Sequence, residues 1–590
     1  MKNTSSIYLL FFYFLFLCFS LFTWDYISVG LLGQNDFFRF FFFISTSFGF
    51  TFLTLKSYKH IDLKVFEVIN LNSSNQKSKD FINLIYIFFI FYLLLNFFDF
   101  EKKNFIYVDV YHYGFQLVPS MNFTLTNKLW SSSFVEAGFF SNYMSLLYFF
   151  FTKKITIGST IFIKHTILFL NKVMLVSLAL FVARELNFSK VLKITFFLFF
   201  SLALLSLTDS SSISYFPERH FLYLILIFLI YFNLNPETKL SLFVSSFLLG
   251  SISLISLFWW VDIFVFNCLL LISYLIFLYM RNEINKILYV CLGFLITFLT
   301  IIYFFPSGEI IFFLDNLYFI IIKANAYTSL VYPSPLFGED GRATKTLIFF
   351  FYSLFLFILL VFKKRTDLSN NLKKFLIFLF LSSLISFLYG LGFSDSRHII
   401  ASSGMLMANL IFYHLFFLFS FFNKKTLFKN NFFFSTVVIF FLFFIINDVK
   451  HISIKNVLSF KKNVSNFLSL DDDAFLLEKN SNYLELIDYY DSLLKKNECI
   501  QVLTDETIIP YLVKRKTCTK FFFYHTLVDK KMQSQFIDEL KSTSPRFILY
   551  KSDLFSPFNF FNRLKDVDNY IIKNYEFYEK FNYWTFYKLK

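Results

Sequence analysis

Residues 239–286 read K-LSLFVSSFLLGSISLISLF-WWVD-IFVFNCLLLISYLIFLYM-RNEINK, and this stretch decides the fold class. Two apolar runs, 240–258 and 263–280, each approach the ~20 residues a helix needs to cross a bilayer. Only Trp259-Trp260-Val261-Asp262 separates them, which is a tight hairpin between two membrane helices. Lys239, Arg281 and Lys286 flank the far ends of the hairpin, while the acid Asp262 sits in its turn. Paired tryptophans there read as an aromatic belt, and Asp262 as a cap for the next helix.

Working outward, comparable runs fall at 7–24, 37–55, 81–98, 159–183, 191–207, 221–234, 287–305, 347–362, 375–391, 399–422 and 432–446. The sequence therefore predicts an α-helical polytopic membrane protein with about thirteen transmembrane helices. Composition agrees: 57% of the residues are hydrophobic and 16% charged, and mean hydropathy is +0.59. A chain of 590 residues with 98 Phe could not hide that surface from water, so lipid is its main solvent. The net charge of +15 reads as basic cytoplasmic loops, not as a nucleic-acid surface. The run 7–24 lacks a small-x-small cleavage site after it and reads as a retained signal anchor.

The loops alternate in charge. Lys56, Lys59, Lys64, Lys77 and Lys79, then Arg184 and Lys190, Lys239, Arg281 and Lys286, Lys363 to Lys374, and Lys424 to Lys429 occupy one set. Asp25, Asp36, Asp209, Asp262 and Asp395 occupy the other. The positive-inside rule puts the first set, and the N-terminus, in the cytoplasm. A membrane domain, 1–446, then carries two long outer loops, 99–158 and 306–346, and residues 447–590 form an extracytoplasmic domain. Ala137 to Phe151 reads as a helix lying along the outer interface. In the tail, helices near 483–495, 507–513 and 531–541 alternate with strands near 499–503, 521–524, 547–550 and 583–587, which predicts a small α/β domain. Cys499 and Cys518, near the starts of two adjacent strands in an oxidising compartment, are candidates for a disulfide. Asp471-Asp472-Asp473 reads as a solvated charge run or a helix cap.

The chemistry-bearing residues gather at the outer face. Val108-Asp109-Val110-Tyr111-His112-Tyr113-Gly114 places a carboxylate and a histidine just beyond a span. Pro217-Glu218-Arg219-His220 and Ser394-Asp395-Ser396-Arg397-His398 each open an inward-going span with an Arg-His pair. Charges at a membrane rim are costly and commonly functional. Two readings of each pair are open: a donor fork for a lipid phosphate, or an interfacial anchor that snorkels. Lys164 reads as snorkelling, and His165 and His414 as satisfied packing residues. Gly-rich phosphate fingerprints and metal-spaced Cys/His clusters are absent from the sequence.

Asp109-Val110-Tyr111-His112-Tyr113-Gly114 with Leu117 and Pro119, then Gly138, then Ser394-Asp395 with His398, resemble motifs of the GT-C superfamily of membrane glycosyltransferases. The nearest likeness is to bacterial aminoarabinose and protein mannosyl transferases, and Thr517–Phe521 and Asn574–Tyr578 are similar to segments of their tails. The chain departs from the pattern in two ways: the acid follows the third span instead of the first, and Tyr111 replaces the second acid of a D-x-D or E-x-D metal site. The resemblance implies a bacterial inner-membrane enzyme with a polyprenyl-phosphate sugar as donor and a glycan, lipid or protein as acceptor. It makes Asp109 the general base, with His112, Glu218, Arg219, His220, Asp395, Arg397 and His398 binding substrate and no cofactor required; Glu136 could supply a second ligand to a divalent metal. A polysaccharide polymerase or ligase, or a non-enzymatic transporter of lipid-linked glycans, would also suit a multi-span chain.

Overall fold

The computed structural model describes residues 75–101, 109–110, 112–134, 139–209, 221–328, 341–362, 368–393, 404–424, 452–476, 481–495, 497–527, 529–552 and 564–590. The predicted spans 7–24, 37–55 and 432–446 lie outside them. The described chain is mostly helical. In order come α1 (Asn75–Phe98), α2 (Gly114–Thr126), α3 (Phe139–Thr152), α4 (Ile157–Glu185), α5 (Lys190–Asp209), α6 (Phe221–Leu234) and α7 (Lys239–Trp259). They are followed by α8 (Val261–Met280), α9 (Ile284–Phe304), α10 (Ser307–Thr328), α11 (Gly341–Phe362), α12 (Asn370–Phe393) and α13 (Gly404–Lys424). Among the described residues, five helices are long and apolar enough to cross a membrane: α4, α7, α8, α9 and, over Asn370–Phe387, α12. Shorter apolar helices occupy Ile82–Phe98, Phe221–Leu234, Phe349–Leu360 and Gly404–Phe417.

Local sequence sets the helix ends. Thr156 and Ser159 form a reciprocal capping box at the start of α4, and Thr238 and Ser241 form one at α7. Trp260, extended at φ −160°, breaks the chain between α7 and α8 as the hairpin reading requires. Asp262 accepts the N–H of Ile263 at 2.9 Å. Segment 306–346, read from sequence as a long loop between spans, contains the 22-residue α10, which is not among the helices apolar enough to cross a membrane. Glu309, in its first turn, accepts the N–H groups of Leu129 and Ser131, each at 3.1 Å, and so ties α10 to the segment after α2.

Helix packing within the bundle relies on aromatic and aliphatic side chains, with small residues where backbones meet. A Cβ built on Gly250 of α7 would lie 2.7 Å from Phe294 N of α9, and one on Gly293 would lie 2.8 Å from the Phe247 carbonyl carbon. Such close approach is how small residues drive helix association in lipid. Gly250→Leu is therefore expected to separate α7 from α9 at a cost of ~1–3 kcal/mol from overpacking, read as a lower unfolding temperature in detergent.

The two ends of the bundle differ. At one end, Trp130 lies 6.2 Å from Phe258 and 5.3 Å from Phe305, and Trp259 lies 5.9 Å from Phe221. Here the Trp259-Trp260 hairpin, the end of α9 and the segment after α2 meet. At the other end, Glu185 accepts from Ser369 at 2.7 Å and from Tyr231 at 3.2 Å, and Lys286 donates to the Asn233 carbonyl at 2.9 Å. The described loops that carry Arg184, Lys239, Arg281 and Lys286 therefore collect away from the hairpin.

The tail contains α14 (Ile454–Leu458), α15 (Phe460–Leu468), α16 (Asp473–Leu476), α17 (Asn482–Leu493), β1 (Gln501–Val502), α18 (Ile509–Leu512), α19 (Lys530–Thr543), β2 (Phe547–Ser552), α20 (Lys565–Asn574), β3 (Tyr575–Phe581) and β4 (Trp584–Leu589). The sheet runs β1-β2-β4-β3, with β1 parallel to β2 and the other pairs antiparallel. Alternation along β2 divides two cores: Phe547 and Leu549 face one, Ile548 and Tyr550 the other. The second core is closed by Phe536 and Leu540 of α19 and Val567 and Ile571 of α20. The first is closed by α17 and also by Val110, Leu117, Val118 and Met121 from the loop and α2. The sheet thus completes its core with residues far away in sequence.

Phe521 to Tyr524, predicted as a strand, is not one. The main-chain groups of Phe521 are satisfied by side chains: its N–H by Thr519 at 3.2 Å and its carbonyl by Gln501 at 3.0 Å. Phe521 and Phe522 enter different cores. Cys499 and Cys518 are joined as a disulfide, with Cα atoms 4.9 Å apart, beside a single parallel bridge between Ile500 and Thr517. Asp472 is not a solvated residue of a charge run. It accepts the N–H of Ile157 at the start of α4 at 2.9 Å and bonds to Tyr511 and Lys514, each at 2.6 Å. A carboxylate at a helix N-terminus is favoured by the helix dipole.

Candidate functional site

Asp109 nucleates the turn that begins α2. Its Oδ1 accepts the His112 N–H at 3.1 Å, its carbonyl accepts the Tyr113 N–H at 3.0 Å, and its Oδ2 pairs with His112 Nδ1. An Asp that bonds backbone two or three residues on is a turn former by chemistry. The side chains of Asp109 and His112 are 35% and 21% exposed, so the pair is sheltered yet reachable from solvent. Lys164 of α4 places its Nζ 4.5 Å from the centre of the Tyr113 ring, bringing a cation to this turn that sequence alone assigned to snorkelling.

The tail fixes the turn from the other side. The Ile508 N–H donates to the Val110 carbonyl at 3.2 Å. Gly114 lies against the Thr507 backbone so closely that a Cβ there would come 2.5 Å from Ile508 N. About two turns further along α2, Asn122 donates to Thr517 Oγ1 at 2.9 Å and accepts the Thr517 N–H at 3.2 Å. The docking segment Leu503-Thr504-Asp505-Glu506-Thr507 follows β1 directly. Glu506 is fully buried and accepts from Trp584 Nε1 at 2.9 Å, while Asp505 is 8% exposed. Sequence reasoning passed over these two acids. The available signal was their position at the carboxyl end of the first strand of an α/β sheet, where binding sites commonly form.

Asp109 and His112 are thus brought together. Glu218, Arg219, His220, Asp395, Arg397 and His398 lie outside the described residues, as do Tyr111 and Glu136. Their chain neighbours are placed: α6 begins at Phe221, whose ring meets Trp259 at the hairpin end, and α12 ends at Phe393. His165 and His414 have the packing roles expected of them. His165 stacks on Phe97 at 4.9 Å, and His414 bonds to Tyr352 at 2.9 Å and the Leu410 carbonyl at 2.7 Å. Among the described residues, no group of three or more His, Cys, Asp or Glu side chains is arranged to hold a metal ion.

Chemically, the Asp109–His112 pair can accept a proton at either partner. A carboxylate bonded to imidazole Nδ1 fixes the ring's tautomer and orientation. No protein-family model matches the chain, and no curated protein matches it in sequence.

Proposed function

We propose that this chain is an integral-membrane glycosyltransferase that moves a sugar from a polyprenyl-phosphate donor to an acceptor hydroxyl, with inversion. The observation that carries the reading is the Asp109–His112 turn, sheltered but accessible, held between the membrane helices and the tail. In this reading about thirteen helices span a bacterial inner membrane with the N-terminus inside. The hairpin end, Asp109 and the tail then lie on the extracytoplasmic side, where the donor's headgroup emerges and nucleotide sugars are not needed. The acceptor hydroxyl attacks the anomeric carbon, Asp109 takes its proton, and the lipid phosphate leaves. Arg219 and Arg397 neutralise the charge growing on that phosphate, assisted by His220 and His398. Glu218 and Asp395 orient the sugar hydroxyls.

The Nδ1 contact favours a second assignment within the same reaction: His112 receives the proton and Asp109 orients it. The reading is tested with purified protein in sealed vesicles. A radiolabelled polyprenyl-phosphate sugar should be consumed and its label transferred without any nucleotide sugar present. Movement of the intact labelled lipid across the bilayer without transfer would favour a transporter instead.

A further inference from the structure

A cavity of about 750 Å³ lies between α10 and α19, beyond the far end of α2 from Asp109. That volume is within the range of small-ligand sites. Phe312, Asp315 and Asn316 form one wall; Lys520, Gln535 and Glu539 are on the other. Lys520 is only 8% exposed, and its backbone is clamped, with its carbonyl accepting from Phe134 N at 2.7 Å and its N–H donating to Glu539 Oε2 at 2.9 Å. Its Nζ lies 5.8 Å from the Phe312 ring centre and 5.2 Å from that of Phe521. Burial lowers the Lys520 pKa and raises that of Glu539, as expected for charged groups drawn out of water.

The charge pattern selects the ligand. Asp538 already pairs with Lys541 at 3.0 Å, and Asp529 accepts the Lys531 N–H at 2.7 Å. The hydrogen bond to Asp529 comes from backbone and leaves its charge in place, so two amines, Lys520 and Lys531, face three carboxylates, Asp315, Asp529 and Glu539. An anionic ligand would meet more acid than base, and a cation would meet the Lys520 amine. A polyol meets neither problem, because hydroxyls donate to the carboxylates and accept from Lys520, Asn316 and Gln535. Phe312 adds an aromatic face for the apolar side of a sugar ring.

We propose that this cavity binds a neutral oligosaccharide. Binding stands on the cavity alone; its use as the glycan acceptor rests on the transferase reading above.

The test uses the full chain in amphipol, free of sugar-headed detergent. The probes are immobilised neutral trisaccharides (triacetylchitotriose, maltotriose and mannotriose), a sulfated trisaccharide, and inorganic phosphate as competitor. At least one neutral trisaccharide should bind, unaffected by phosphate. Affinity should fall tenfold or more in Lys520→Met and separately in Asp315→Asn, which alters the opposite wall should the first variant fold poorly. Asp109→Asn should bind as wild type does. The proposal is overturned if no neutral trisaccharide binds, if the sulfated one binds more tightly, or if both wall variants bind normally. A chain that binds trisaccharide but transfers no sugar would defeat the transferase reading and leave the cavity assignment standing.

Discussion

Gly114→Val is expected to lower sugar transfer about a hundredfold, the scale of loss when a catalytic group is displaced by ~1 Å. A side chain at 114 would be driven into the Thr507–Ile508 backbone, and backbone cannot swing aside as a side-chain tip can. The hydrogen bond from Ile508 to Val110 would stretch, and the Asp109 turn, one residue from Val110, would lose its support. Overpacking of this kind costs ~1–3 kcal/mol, so the protein should still assemble. Gly308→Val is the matched control, since nothing lies within 4 Å of a Cβ at that position. Initial transfer rates and hydrogen exchange at residues 505–508 would both respond in Gly114→Val and neither in Gly308→Val. Equal rates in the two variants would mean that tail docking does not position the turn.

The membrane helices were legible because their signal is local. The run 263–280, bounded by Asp262 and Arg281, contains its own length, apolarity and charge cues, and the structure forms Val261–Met280. The helix at Phe139–Thr152 was likewise expected from Ala137 to Phe151. The errors lie where tertiary partners decide. Phe521 to Tyr524 has strand composition, yet Gln501 and Thr519 take its polar groups and its rings point into two cores. Tyr575–Phe581 was missed as a strand because it is an edge with mostly exposed side chains, lacking the half-buried alternation that marks strands in sequence. Lys565–Asn574 was missed as a helix, although Val567 and Ile571 stand one helical turn apart and both enter the core.

The candidate site divides in the same way. Asp109 and His112 are three residues apart, so their proximity could be read directly. Lys164, Asp505 and Glu506 reach the neighbourhood only through packing: α4 carries Lys164 to Tyr113, and β1 delivers the other two beneath Val110. Periodicity contains no information about such distant encounters. The same physics explains why the sequence division at 446 does not divide the core: Leu117 and Val118 are as much part of the tail's hydrophobic cluster as Trp584 and Phe586.

The central claim is that proton acceptance at Asp109 drives transfer from a lipid phosphate. Asn retains the shape of Asp109 and can still accept the His112 N–H, but it cannot take a proton from an attacking hydroxyl. Losing a general base costs ~10²–10⁴-fold in rate. His112→Gln should cost far less if Asp109 is the base, and about as much if His112 accepts the proton. The direct measurement is the initial rate of label transfer from a radiolabelled polyprenyl-phosphate sugar by purified wild-type and Asp109→Asn protein, with donor binding measured on the same samples. The account predicts donor affinity within a few-fold of wild type and transfer reduced at least ~100-fold. Undiminished transfer by Asp109→Asn would contradict it.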